Sequence, residues 1–209
     1  MVMPASYLHR DKASDKVSII ACESIAREMA MVAGEKKLPF TMHVLGPQCH
    51  HNPMTIGSKI NNMLGSFNKE KRAFIAAGKC FSCAGSNHPG AYRLMETNCA
   101  SILIGGDREY KKIAAGSYFL TPHLLLHWKE YFLGRDDNAV LKQKSARRLE
   151  EWFNPIKRVI KINLYPACEN ENYLAEEFAG VINKPLLYYS GSLDLLKREY
   201  DNFCAALTE

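Results

Sequence analysis

Val17-Ser18-Ile19-Ile20-Ala21-Cys22-Glu23-Ser24-Ile25-Ala26-Arg27-Glu28-Met29-Ala30-Met31-Val32-Ala33-Gly34 changes character at its cysteine. The five residues before Cys22 make a short apolar, strand-like run. From Ser24 to Val32 the pattern becomes that of a helix, and Gly34 supplies a stop. A reactive side chain thus sits at the point where a strand hands over to a helix. The arrangement recurs. Phe40-Thr41-Met42-His43-Val44-Leu45 leads into Cys49-His50-His51, and Arg72-Ala73-Phe74-Ile75-Ala76-Ala77 leads into Gly78-Lys79-Cys80-Phe81-Ser82-Cys83. The shorter Tyr92-Arg93-Leu94-Met95 runs to Asn98-Cys99. In open α/β sheets, ligands sit beyond the carboxyl ends of parallel strands, where the loops converge. Four such loops would bring cysteine and histidine to one rim.

Apolar runs go on alternating with amphipathic stretches, which predicts an α/β fold. We expect a mainly parallel open sheet with helices on both faces, Rossmann-like or flavodoxin-like. Pro53 opens a helix in which Ile56, Ile60, Met63 and Leu64 form one apolar stripe. Residues 81–90, rich in Gly, Ser, Asn and Pro, form a long polar loop of the kind that lines binding sites. Further strands are expected at 117–120, 158–162 and 185–189. Helices are expected at 107–113, from Pro122 through His123, His127 and Trp128, at 138–153, at 170–181, and after Ser190-Gly191-Ser192. Residues 1–209 read as a single α/β domain. The one plausible seam, near 134–138, would part a cysteine-rich N-terminal half from a C-terminal supporting half.

Composition narrows the classes of function. The chain has 209 residues, 47% of them hydrophobic, enough for a well-buried core. A formal charge of +5 with scattered Lys and Arg forms no basic stripe, which argues against a nucleic-acid partner. No apolar run approaches the ~20 residues that span a bilayer, and residues 1–16 carry no apolar signal-peptide segment. We therefore expect a cytoplasmic protein with no membrane partner. In that reducing compartment seven cysteines, an odd number, do not make a disulfide framework. Metal ligation or thiol chemistry explains the clustered ones, and plain burial explains Cys168 and Cys204.

Cys80-x-x-Cys83 is the tightest pair, a spacing shared by zinc sites, iron–sulfur sites and thiol redox motifs. The following Ala84-Gly85-Ser86-Asn87-His88-Pro89-Gly90 is hostile to a helix, which weakens the redox reading. Cys22 and Cys99 each follow a strand and precede a helical run, so each sits near a helix N-terminus, a position that favours thiolate. For either one alone, the blander reading of a small buried hydrophobe is preferred. Glu23 is a candidate proton shuttle beside Cys22, or simply a carboxylate matched to the helix dipole. His123 and His127 stand four apart and can share a helix face, but no Glu follows the first as in a zinc-protease helix, so a core or surface role is expected. GxGxxG, GxxxxGK[ST] and GxSxG are all absent, and with them the signatures of dinucleotide, P-loop and α/β-hydrolase chemistry. Nor does an Asp-x-His-x-x-Gly run occur, so the chain does not look like a corrinoid carrier itself.

Taken together, Ala21-Cys22, His50-x-x-Pro53, Gly78-x-Cys80, Asn98-Cys99 with Ile102-Leu103-Ile104-Gly105, and Gly191-x-x-Asp194-Leu195-Leu196 resemble the family catalogued as domain of unknown function 1638. The resemblance covers nearly the whole chain. It implies a setting in anaerobic bacteria and archaea, beside genes for corrinoid-dependent methyl transfer, and so a role near one-carbon chemistry. It places the family's cysteines on Cys22, Cys80 and Cys99 and its histidine on His50. This chain departs in having Asn98 where an acidic residue is common and in adding Cys49 and Cys83. The fourth ligand is thus open between His50 and Cys83.

The expected function is that of a zinc-binding protein acting in one-carbon or methyl-group transfer to or from a small molecule, with corrinoid present only through a partner protein. The expected metal ligands are Cys22, Cys80, Cys99 and His50, with Glu23 and His50 as catalytic candidates. An iron–sulfur cluster is the alternative cofactor. A non-catalytic metal or cofactor carrier, and a CxxC redox protein using Cys80 and Cys83, are the alternative functions.

Overall fold

A computed structural model describes residues 17–36, 38–46, 53–67, 72–79, 89–133, 147–165 and 169–207. The architecture is α/β, with helices packed on parallel sheets. Its contacts divide it into two compact units, Met1–Ile102 with Leu193–Glu209, and Leu103–Ser192. The expected seam at 134–138 lies outside the described residues.

The first unit holds β1 (Val17–Cys22), β2 (Phe40–Leu45), β3 (Arg72–Ala76) and β4 (Ala91–Arg93) in the order β2-β1-β3-β4. Every pairing is parallel. β1 is buried along its whole length, as a central strand covered on both faces must be. Its register puts Ile19 beside Phe74 and Ile20 beside Ile75, so Phe74 and Ile75 point to opposite faces. On the Phe74 face lies α7 (Asp194–Ala205), whose Tyr200 and Phe203 set their rings 5.2 and 5.4 Å from that of Phe74. α1 (Glu23–Glu35) packs beside α7, with Lys36 paired to Asp201 and Lys197 paired to Glu35. The other face receives α2 (Pro53–Ser66): Phe67, just past its end, meets His43, which is in register with Ile20. Ile60 and Leu64 of α2 are buried, two members of the stripe read from the sequence.

The second unit is a three-stranded parallel sheet, β5 (Ser117–Leu120), β6 (Arg158–Asn163) and β7 (Leu186–Ser190), in that order. Its helices are α4 (Asp107–Ile113), α5 (Pro122–Leu133), the helical stretch 147–152 and α6 (Glu169–Val181). Trp128, Leu149, Phe153, Val159 and Phe178 form the centre of its core. Phe178 takes the ring of Trp128 edge-on at 5.3 Å and that of Phe153 at 5.6 Å. α3 (Cys99–Ile104) carries the chain across the boundary between the units.

Two expected boundaries shift. The fourth strand runs Ala91–Arg93 rather than through Met95, which is 65% exposed and outside the ladder. The expected helix 138–153 is described only at 147–152. Among the described residues no helix is long and apolar enough to cross a membrane.

Candidate functional site

Four parallel strands end on the same edge of the first sheet, and their order decides where that edge opens. β1 connects to β2 on one side, and the chain then crosses back to place β3 on the other side of β1. That reversal makes the β1/β3 gap a topological switch point, where crossovers leave to opposite faces and a crevice forms beyond the carboxyl ends. Cys22 is the last residue of β1 and stands at this gap. Gly78 and Lys79 follow β3 on its other side.

Cys22 is also the N-cap of α1 and is fully buried. No side chain caps that helix; the Cys22 thiol instead donates to the hydroxyl of Ser24 at 3.6 Å. Glu23 opens the helix as the acidic residue of its first turn, a favourable position at the positive end of the dipole. One of its carboxylate oxygens is shielded from solvent.

Cys99 opens α3 and is 6% exposed. The turn before it is fastened by a reciprocal cap. Ser101 N–H donates to Asn98 Oδ1 at 2.9 Å, and Asn98 N–H donates to Ser101 Oγ at 3.1 Å. The Ser101 hydroxyl in turn donates to the Asn98 carbonyl at 2.7 Å. This explains Asn98: an N-cap needs a short side chain carrying an acceptor, and Asn serves as well as Asp. Ser101→Ala should cost about 1 kcal/mol by loss of this box, measured by chemical denaturation, with faster amide exchange confined to α3.

The β3 and β4 loops are pressed together. Lys79 N–H donates to the Glu96 carbonyl at 2.7 Å, and Leu94 N–H to that of Ile75 at 3.2 Å. A Cβ on Gly78 would collide with the Asn98 backbone, lying 2.8 Å from both its nitrogen and its carbonyl carbon. Only glycine lets the chain before Cys80 approach the chain before Cys99 this closely. Gly78 and Asn98 belong to the motifs read from the sequence, but neither their close approach nor the part Ser101 plays in the cap is visible there. Their signals are a lone glycine ahead of the CxxC and an Asn-x-x-Ser spacing.

Two of the expected ligands, Cys22 and Cys99, thus sit at strand-to-helix junctions on one edge of one sheet, as read from the sequence. His50, Cys80 and the alternative Cys83 lie outside the described residues, as do Cys49, His51 and Cys168. Among the described residues no three His, Cys, Asp or Glu side chains gather closely enough to hold a metal. Cys22, Glu23 and Cys99 therefore do not form a metal cage by themselves. Cys22 and Cys99 are buried free thiols, soft donors of the type that zinc selects. Cys204, on α7, is half-buried, and burial pushes its thiol pKa up, in keeping with a packing role.

A family model described as "Protein of unknown function (DUF1638)" matches residues 44–200. The match takes in His50, Cys80, Cys83 and Cys99 and starts beyond Cys22 and Glu23, so those two rest on the geometry of β1 alone. No curated protein and no solved structure matches the chain.

Proposed function

The chain belongs to the family of unknown function DUF1638, and we propose that it binds zinc at the carboxyl edge of its four-stranded sheet and acts there in methyl-group transfer to or from a small molecule. The ligands are Cys22, Cys80, Cys99 and His50, with Cys83 as the alternative fourth. The methyl group is exchanged with a corrinoid held by a partner protein. One observation carries the reading: buried Cys22 and Cys99 end up on one sheet edge that contains the β1/β3 switch point, although 77 positions separate them. Tight apposition of the β3 and β4 loops at Gly78 and Asn98 supports it.

Zinc held by thiolates lowers the pKa of a bound thiol and presents it as a nucleophile. The chain's own residues do the rest. Glu23, at the first position of α1, accepts the proton that a thiol substrate releases. His50 either stays bound or yields its place to substrate, and its replacement separates these roles from a purely structural one.

The test is elemental analysis of anaerobically purified protein and its variants. The expected result is one zinc per chain, lost in Cys22→Ser, Cys80→Ser and Cys99→Ser. His50→Ala should keep most of the metal while losing turnover with a corrinoid methyl donor. A metal-free wild type from zinc-replete cells would sink the proposal. Equal metal loss in Cys80→Ser and His50→Ala, with unfolding in both, would mark a closed structural site instead.

A further inference from the structure

α5, in the second unit, carries two histidines of a kind able to ligate a metal, apart in sequence from the cysteines of the first unit. It starts directly after the carboxyl end of β5, and its sequence reads His123-Leu124-Leu125-Leu126-His127. Residues four apart on a helix project from the same face. Here the two imidazoles do so in fact, with ring centroids 4.6 Å apart and planes tilted by 30°. Two histidines at this spacing on one helix face are a chelating arrangement for divalent transition metals.

The surroundings of the pair supply one partner at hydrogen-bond distance, for His123, and a carboxylate somewhat farther off, for His127. Such a ring commonly hands its second nitrogen to a carboxylate, hydroxyl or carbonyl, which fixes its orientation and tautomer. His127 Nδ1 lies 3.7 Å from the Glu130 carboxylate. His123 Nε2 lies 2.8 Å from the Tyr131 hydroxyl, and the Tyr131 ring stands 6.1 Å from both imidazoles. All four side chains belong to one helix.

We propose that His123 and His127 form an open, two-histidine site for a borderline divalent metal of the Co²⁺, Ni²⁺, Cu²⁺ and Zn²⁺ class. One nitrogen from each ring binds the ion, and water fills the remaining positions. His127 is 43% exposed, so the ion exchanges freely with solvent. Imidazole suits this set of metals, whereas Mg²⁺ and Ca²⁺ prefer oxygen donors and are excluded.

Co²⁺ titration of the full chain tests this, because the metal's visible spectrum distinguishes nitrogen from sulfur ligands. The expected wild-type spectrum contains a component with d–d bands and no thiolate charge transfer. His127→Ala and His123→Ala should each abolish that component while leaving far-UV circular dichroism unchanged. Tyr131→Phe, which keeps both imidazoles, should retain it. Charge-transfer bands from the cysteine rim, whether seen or not, do not enter this readout, so the two sites succeed or fail separately. A wild-type spectrum lacking the sulfur-free component, or one preserved in His127→Ala, would overturn the proposal.

Discussion

Trp128→Ala should destabilise the second unit by about 3–5 kcal/mol, the usual cost of emptying a large aromatic site in a core. Trp128 is 1% exposed, and its ring fills the space between α5 and Phe178 of α6. Phe178 also takes Phe153 edge-on and stacks with Tyr118, so the cavity would open where four aromatic rings converge. Trp128→Phe is the informative companion. The indole N–H is buried with no hydrogen-bond partner among the described residues. A buried donor left unmade costs about 1–3 kcal/mol, and phenylalanine removes it. That gain offsets part of the lost contact, and the net cost should stay below about 1.5 kcal/mol. Denaturant unfolding followed by amide exchange in α5 and α6 measures both. A Phe variant as unstable as the Ala variant would show that the indole N–H is satisfied after all.

Gly78→Val should destabilise the first unit by about 1–3 kcal/mol, the range for forcing bulk into a closed space. The obstruction is the Asn98 backbone rather than the end of a flexible side chain, so it cannot be relieved by a rotamer change. The β4-to-α3 loop must move away from β3, taking the cap of α3 and Cys99 with it. Gly78→Ala should do the same to a smaller extent. If the rim binds zinc, metal content should fall in both variants before global stability is lost. A Gly78→Val protein with wild-type unfolding would mean that the two loops tolerate separation.

The elements were legible in the sequence where a single period dominates. The stretch from Val17 to Gly34 changes from strand to helix at Cys22, and the structure turns there too. The i,i+4 spacing of His123 and His127 likewise suffices to place both on one face of α5. What escaped reading depends on partners distant in sequence. Nothing in the short apolar runs says that β1–β4 form one sheet and β5–β7 another, because strand pairing is settled by packing across the fold. Met95 reads as strand, yet the register with β3 ends at Arg93, opposite Ile75, and Leu94 makes the last hydrogen bond to that strand. Gly78 is legible as part of Gly78-x-Cys80, but its steric role exists only because Asn98 comes to rest against it.

The first unit is discontinuous, with α7 separated from β1–β4 by the whole of Leu103–Ser192. During translation this imposes an order. At about 5–20 residues per second, the ribosome spends roughly 5–18 s on the 90 residues of the second unit before α7 emerges. Through that interval Phe74 lacks Tyr200 and Phe203, and α1 lacks its ion pairs to Lys197 and Asp201. The second unit, contiguous in the chain, can complete its core meanwhile. The nascent protein therefore presents an open apolar sheet face for seconds, a substrate for chaperones that the finished molecule is not.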